Sequence, residues 1–222
     1  MAAKLVLLTM MCFCVCANAQ TPAVVVYPAH TESLDGTASH SLEQELKRLV
    51  APAGIDLAWR SNADRTQAHE EMGRIIVGNF SGSCSVQAIS GGLVSSTKAT
   101  LAEASVSRGR VLPYFNVDCD RVIRTLAPML QPLSPPMRQA VLGRALARVI
   151  AHEIYHILGQ TTAHEEDGLA KAKLSFRDLT APGIDLSPAS LQRIRAASRV
   201  KPPAEPPAVP VAGLVSRDSQ ER

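Results

Sequence analysis

Long blocks of a single charge sign are missing from this chain. Its 23 Lys and Arg stand against 20 Asp and Glu, for a formal net charge of +3. The basic residues are scattered rather than blocked, which gives no basis for nucleic acid or a membrane surface as partner. No internal repeat is visible. No Ser-His-Asp arrangement, phosphate-cradling Walker loop or dinucleotide fingerprint stands out, and Gly91-Gly92 is an isolated turn signal. There is no CxxC pair, which argues against a redox role. Methionine does not occur after Met137.

What is present begins with the amino terminus. Lys4 precedes an apolar run over residues 5–17, and Ala17-Asn18-Ala19 forms a small-x-small cleavage site. These are the parts of a cleavable signal peptide spanning residues 1–19, and the run is short for a membrane span. The expectation is a secreted or periplasmic protein with no stable membrane span. Cys12, Cys14 and Cys16 would leave with that segment, and only Cys84 and Cys119 would remain. Two cysteines in an oxidising compartment most often pair, the other reading being two separate buried thiols.

Hydrophobic residues make up 46% of 222, enough for one compact domain, expected over residues 20–200. Short apolar or alternating runs predict strands over 23–27, 55–59, 74–80, 101–106 and 111–117, with 74–80 central and a turn at Arg108-Gly109-Arg110. Helical spacing predicts helices over 41–50, 120–130, 135–158 and 187–198. Ser134 and the following prolines open the long one, and Gly159 is placed to end it. Residues 201–222 hold several prolines and polar residues and read as a disordered tail.

The long helix carries Ala151-His152-Glu153-Ile154-Tyr155-His156-Ile157-Leu158-Gly159. Histidines four apart share one helix face, about 5–6 Å apart at Cβ, so both can ligate one Zn²⁺. Glu153 follows the first of them and is placed to act as general base on a zinc-bound water. Three ionisable groups inside an apolar helix are costly without a purpose. The remaining alternative is a helix that merely exposes them on a wet face. A zinc hydrolase site needs a third protein ligand: His164 leads, with Glu165, Glu166 and Asp167 as rivals. Tyr155 and Tyr114 are more readily structural than oxyanion donors. His30, His40 and His69 read as solvated surface residues, and Asp118 and Asp120 as caps of the following helix or as acceptors orienting a ligand histidine.

His152-Glu153-x-x-His156-x-x-Gly159 with a later histidine resembles the zincin metallopeptidases. It is similar to their metzincin branch, whose pattern would put the third histidine at position 162, where this chain has Thr162. The histidine here is His164, and the branch's methionine turn has no counterpart after Met137. The resemblance covers residues 142–169. It implies an α+β, zincin-like fold, a twisted mixed sheet with helices packed on a long active-site helix. It further implies a zinc-dependent peptidase acting on peptide or protein substrates, one sheet edge (101–106 or 110–117) pairing with the substrate. The alternative is a zincin-like module that binds zinc or peptide without turnover.

Overall fold

The computed structural model describes residues 23–32, 34–60, 74–86 and 100–199. The expected leader, the tail, Gly91-Gly92 and His69 lie outside them. Within them the chain is α+β: five strands form one mixed sheet, and five helices accompany it.

The strands are β1 (Ala23–Ala29), β2 (Asp56–Trp59), β3 (Arg74–Ser81), β4 (Ala102–Ser107) and β5 (Arg110–Asp118), in the spatial order β2-β1-β3-β5-β4. β1 pairs in parallel with β2 and with β3, and β3 pairs in parallel with β5. β3 is central, as its apolar run predicts. Among the described residues β4 alone runs antiparallel, paired with β5. The reason is local. Arg108 and Gly109 both adopt positive φ, 49° and 75°, the backbone of a two-residue hairpin turn matched to strand twist. That tight reversal makes β4 and β5 antiparallel neighbours and puts β4 at the edge of the sheet formed by the described residues.

The helices are α1 (Gly36–Val50), α2 (Cys119–Leu130), α3 (Pro135–Gly159), α4 (Phe176–Thr180) and α5 (Pro188–Arg199). α1 begins five residues before the spacing of its leucines indicates, because the Asp35 carboxylate accepts a hydrogen bond from the Thr37 amide and caps an earlier turn. α4 has no sequence-level expectation. It is one short turn held by a capping box in which Ser175 and Asp178 each accept from the other's backbone.

α3 is buried along almost its whole length from Val141 to Gly159, Arg144 apart. A helix apolar on every side needs neighbours on every side. α1 lies along it, α5 and α2 flank it, and β4 and β5 cover the part nearest the sheet edge. The α1 crossing is very close: a Cβ on Gly143 would stand 2.1 Å from the carbonyl oxygen of Ala38. Glycine at this position is a requirement of backbone approach.

Both ends of α3 fall where the pattern puts them, but they are capped differently from what it predicts. Ser134 occupies the capping position, but its hydroxyl makes no cap hydrogen bond, and the prolines at the first turn, which lack amides, lessen the need for one. At the other end Gly159 is still helical, and Gln160 is the residue in the left-handed region, φ 46°. Its side-chain amide donates to the carbonyls of Ile157 (2.7 Å) and Val111 (3.0 Å), bonding helix end to β5.

Cys84 and Cys119 form a disulfide, both fully buried. It joins the chain just after β3 to the first residue of α2. Closing a loop of 35 residues stabilises by about 3–4 kcal/mol on chain-entropy grounds. Asp118 caps α2 through the Arg121 amide, and Asp120 accepts from the Ser83 amide beside the disulfide. Both aspartates are therefore structural. No helix among the described residues is long and apolar enough to cross a membrane.

Candidate metal centre

The last turns of α3 place His152 and His156 on one face, and their Nε2 atoms stand 3.0 Å apart. His164 approaches from the loop after the helix, its ring centroid 5.3 Å from that of His152 and 4.8 Å from that of His156. One ring nitrogen from each of the three lies within 4.8 Å of the others. Among the described residues this is the sole such cluster of potential metal ligands.

The rings are aimed by backbone rather than by carboxylates. His152 Nδ1 donates to the Leu169 carbonyl at 2.7 Å, and His156 Nδ1 donates to the Thr161 carbonyl at 2.8 Å. A carbonyl can only accept, so the proton sits on Nδ1 in both rings and each Nε2 keeps its lone pair. Two lone pairs then face one another at 3.0 Å, close to the spacing of two nitrogens bound about 2.0–2.1 Å from one tetrahedral ion. Burial keeps the pair unprotonated. His152 is pushed down to about 4, chiefly by loss of water and further by the neighbouring histidines, against the pull of the Leu169 carbonyl. His156 is lowered for the same first reason. Two neutral imidazoles with facing lone pairs, and the ring of His164 beside them, fit a borderline-soft divalent cation.

Leu169 owes its position to a tight turn. Gly168 has φ 71°, and a Cβ there would stand 2.7 Å from the Asp185 carbonyl oxygen, to which the Leu169 amide donates at 3.0 Å. Glu165 and Ala170 close the same loop through an amide-to-carbonyl bond of 2.9 Å. One turn before His152, the buried Arg148 donates to Glu45 of α1 at 3.0 Å and to the Asp178 carbonyl of α4 at 3.1 Å. That ion pair fixes α3 against two of its neighbours.

Glu153 is 4% exposed and lies outside the histidine cluster, with its carboxylate accepting from the Ala104 amide of β4. Burial pushes it up to about 7; the Ala104 amide opposes the shift and the charge of Glu103 adds to it. A cleft of about 580 Å³ opens over Glu153 and the three histidines, with β4 along one side and Val149 and Leu174 in its apolar wall. That size suits a small-molecule or peptide ligand.

The expected site residues therefore divide. His152, Glu153, His156 and His164 converge. The rivals to His164 do not: Glu165 turns away to accept from the Tyr155 hydroxyl at 3.2 Å, and Glu166 and Asp167 are exposed outside the cluster. Tyr155 is fully buried, and Tyr114 is half exposed and does not line the cleft. His30 and His40 are exposed. The orienting carbonyls of Thr161 and Leu169 and the Ala104 amide carry no side-chain signature, and only Gly168 hints at a constrained backbone there. No family model matches the chain, and no curated protein is significantly similar to it.

Proposed function

We propose that this chain is a secreted, zinc-dependent metallopeptidase with a zincin-like fold, in which His152, His156 and His164 hold the metal and Glu153 is the general base. The observation that carries the reading is the convergence of three imidazole nitrogens beside a buried carboxylate on the floor of an open cleft. Export is supported by the signal-like first 19 residues and by the Cys84–Cys119 disulfide, a bond that persists in oxidising compartments.

Zinc, when bound, supplies a Lewis acid that lowers the pKa of water to about 7 and polarises a carbonyl. The chain's own residues do the rest. Glu153 accepts the proton of the attacking water and returns it to the departing amine nitrogen. Its burial-raised affinity for protons suits both directions of transfer near neutral pH. Among the described residues the outer edge of β4, apart from the Ala104 amide that Glu153 takes, is the one open to pairing with an extended substrate, since β5 already has neighbours on both sides. The apolar wall of the cleft favours an apolar side chain next to the scissile bond.

Glu153→Gln tests the reading most sharply. Zinc content should be retained at one per chain while cleavage of a peptide library is lost. Unchanged cleavage by the variant would sink the assignment. Wild-type protein that holds zinc and cleaves nothing would leave a binding module instead.

A further inference from the structure

His164 is the weak point of the cluster. It is exposed, lies in a loop, and has no helix to set its direction. A mobile loop histidine would lose much conformational freedom on ligating, and its contribution to affinity would shrink accordingly. The next residue shows how the loop is held. The Glu165 amide donates to the Ala170 carbonyl at 2.9 Å, and residues 165 and 171 form a short bridge. The Glu165 carboxylate is turned in toward α3, where it accepts from the hydroxyl of Tyr155 at 3.2 Å. Tyr155 is fully buried and stands on α3 between the two helical histidines, next to His156. Arg193 of α5 lies beside the same hydroxyl, and its aliphatic stem packs where a Cβ of Gly159 would come within 3.2 Å.

We propose that Tyr155 and Glu165 are positioning residues for the third ligand: the buried phenol grips the carboxylate adjoining His164 and so orders the loop before metal arrives. This rests on the metal centre proposed above, but not on its being a peptidase. A carboxylate adjacent to a ligand histidine is thereby a brace, not a ligand. Tyr155 suits the role because its ring is fixed by core packing while its hydroxyl reaches the loop. Phenylalanine would keep the packing and remove the grip. Outer partners of metal ligands, when removed, typically cost about 10–100-fold in metal affinity, and the loss here should fall in that range.

The experiment is Co²⁺ titration of the full-length protein against a competing chelator, followed by the visible d–d absorption of the ion. Tyr155→Phe and Glu165→Ala should each weaken Co²⁺ binding about 10–100-fold and lower the absorption intensity as the third nitrogen is lost. The double variant should be no weaker than either single one. Glu165→Gln, which retains an oxygen acceptor for the phenol, should restore most of the affinity. The deciding comparison is in a His164→Ala background, where Tyr155→Phe should have no further effect. Equal binding by Tyr155→Phe and wild type overturns the inference alone, and so does an undiminished Tyr155→Phe effect in the His164→Ala background. Failure of the wild type to bind Co²⁺ at all overturns the metal centre and this inference with it. Absence of peptide hydrolysis in a protein that binds Co²⁺ overturns only the peptidase reading.

Discussion

The two halves of the site are built from different materials. His152, Glu153 and His156 stand on α3, where almost every residue from Val141 onward is buried and the backbone is fixed by helical hydrogen bonds. His164 and the carbonyls of Thr161 and Leu169 stand on the segment after the helix, where many side chains face solvent and order comes from single contacts. The helix half is held by core packing and by the buried Arg148–Glu45 pair, in which Arg48 also binds the carboxylate and loss of Glu45 leaves Arg148 charged and buried. The loop half depends on one glycine, a few amide-to-carbonyl bonds and one phenol. The difference teaches which ligands carry the affinity: those on the packed helix are held in place before a metal arrives, whereas the loop ligand depends on a few contacts to be ordered.

The largest expected effect tests the helix half directly. If the proposed zinc centre is right, His152→Ala or His156→Ala should abolish stoichiometric metal after purification, measured by metal analysis. His164→Ala should leave a weakened but detectable site. If all three variants lose metal equally, the two halves are equivalent and the contrast fails.

Next comes the charge on the helix. In the metal-free protein Glu153 takes up its proton at about 7 instead of 4.5. A raised carboxylate pKa leaves stability intact below 4.5 and removes it as pH rises through 7. Metal-free Glu153→Gln should therefore be more stable than metal-free wild type at pH 8, by something on the order of 2–3 kcal/mol, with the gain gone by about pH 4.5. His152 has the opposite sign. Its proton affinity is depressed to about 4 from 6.5, so its contribution is intact above 6.5 and lost as pH falls toward 4. Denaturant melts of both metal-free proteins across this range check the two slopes, and a pH-independent difference would contradict the burial argument.

Gly168→Ala probes the loop half. The positive φ and the 2.7 Å approach to the Asp185 carbonyl should together cost roughly 1–3 kcal/mol. Because Leu169 adjoins it, the same change should weaken zinc binding as well, read by chelator competition. A purely thermal effect with unchanged metal affinity would mean that the Leu169 carbonyl does not aim His152. Gln160→Gly should have the smallest effect. Relief of a left-handed glutamine gains about 1 kcal/mol, and loss of the hydrogen bonds shared between Ile157 and Val111 costs about as much. The melting temperature should move little.

Much of the fold is legible in the residue pattern. All five strands lie within two residues of the ends that pattern predicts, and α3 within one, because alternation and three-to-four spacing report which side chains must leave water. The start of α1 and the turn of α4 are not legible there, since side-chain caps set them and periodicity is blind to caps. The pairing of Cys84 with Cys119 is the expectation for the two cysteines outside the leader-like segment, and the structure joins them. Between His164 and Glu165 the pattern only weighs one against the other, as both sit in the same short polar segment.

By itself the sequence determined the chemistry available and its spacing on one element. His152, Glu153 and His156 lie on neighbouring turns of a helix because 3.6 residues per turn leaves them no alternative. What tertiary structure decided is everything that depends on a second element. It turned Glu165 toward Tyr155 and His164 toward the other histidines. It brought the Leu169 and Thr161 carbonyls under the two helical rings and made β4 the open edge above Glu153. Local periodicity arises from bond geometry along the chain, whereas the facing of a loop arises from packing between segments far apart in it.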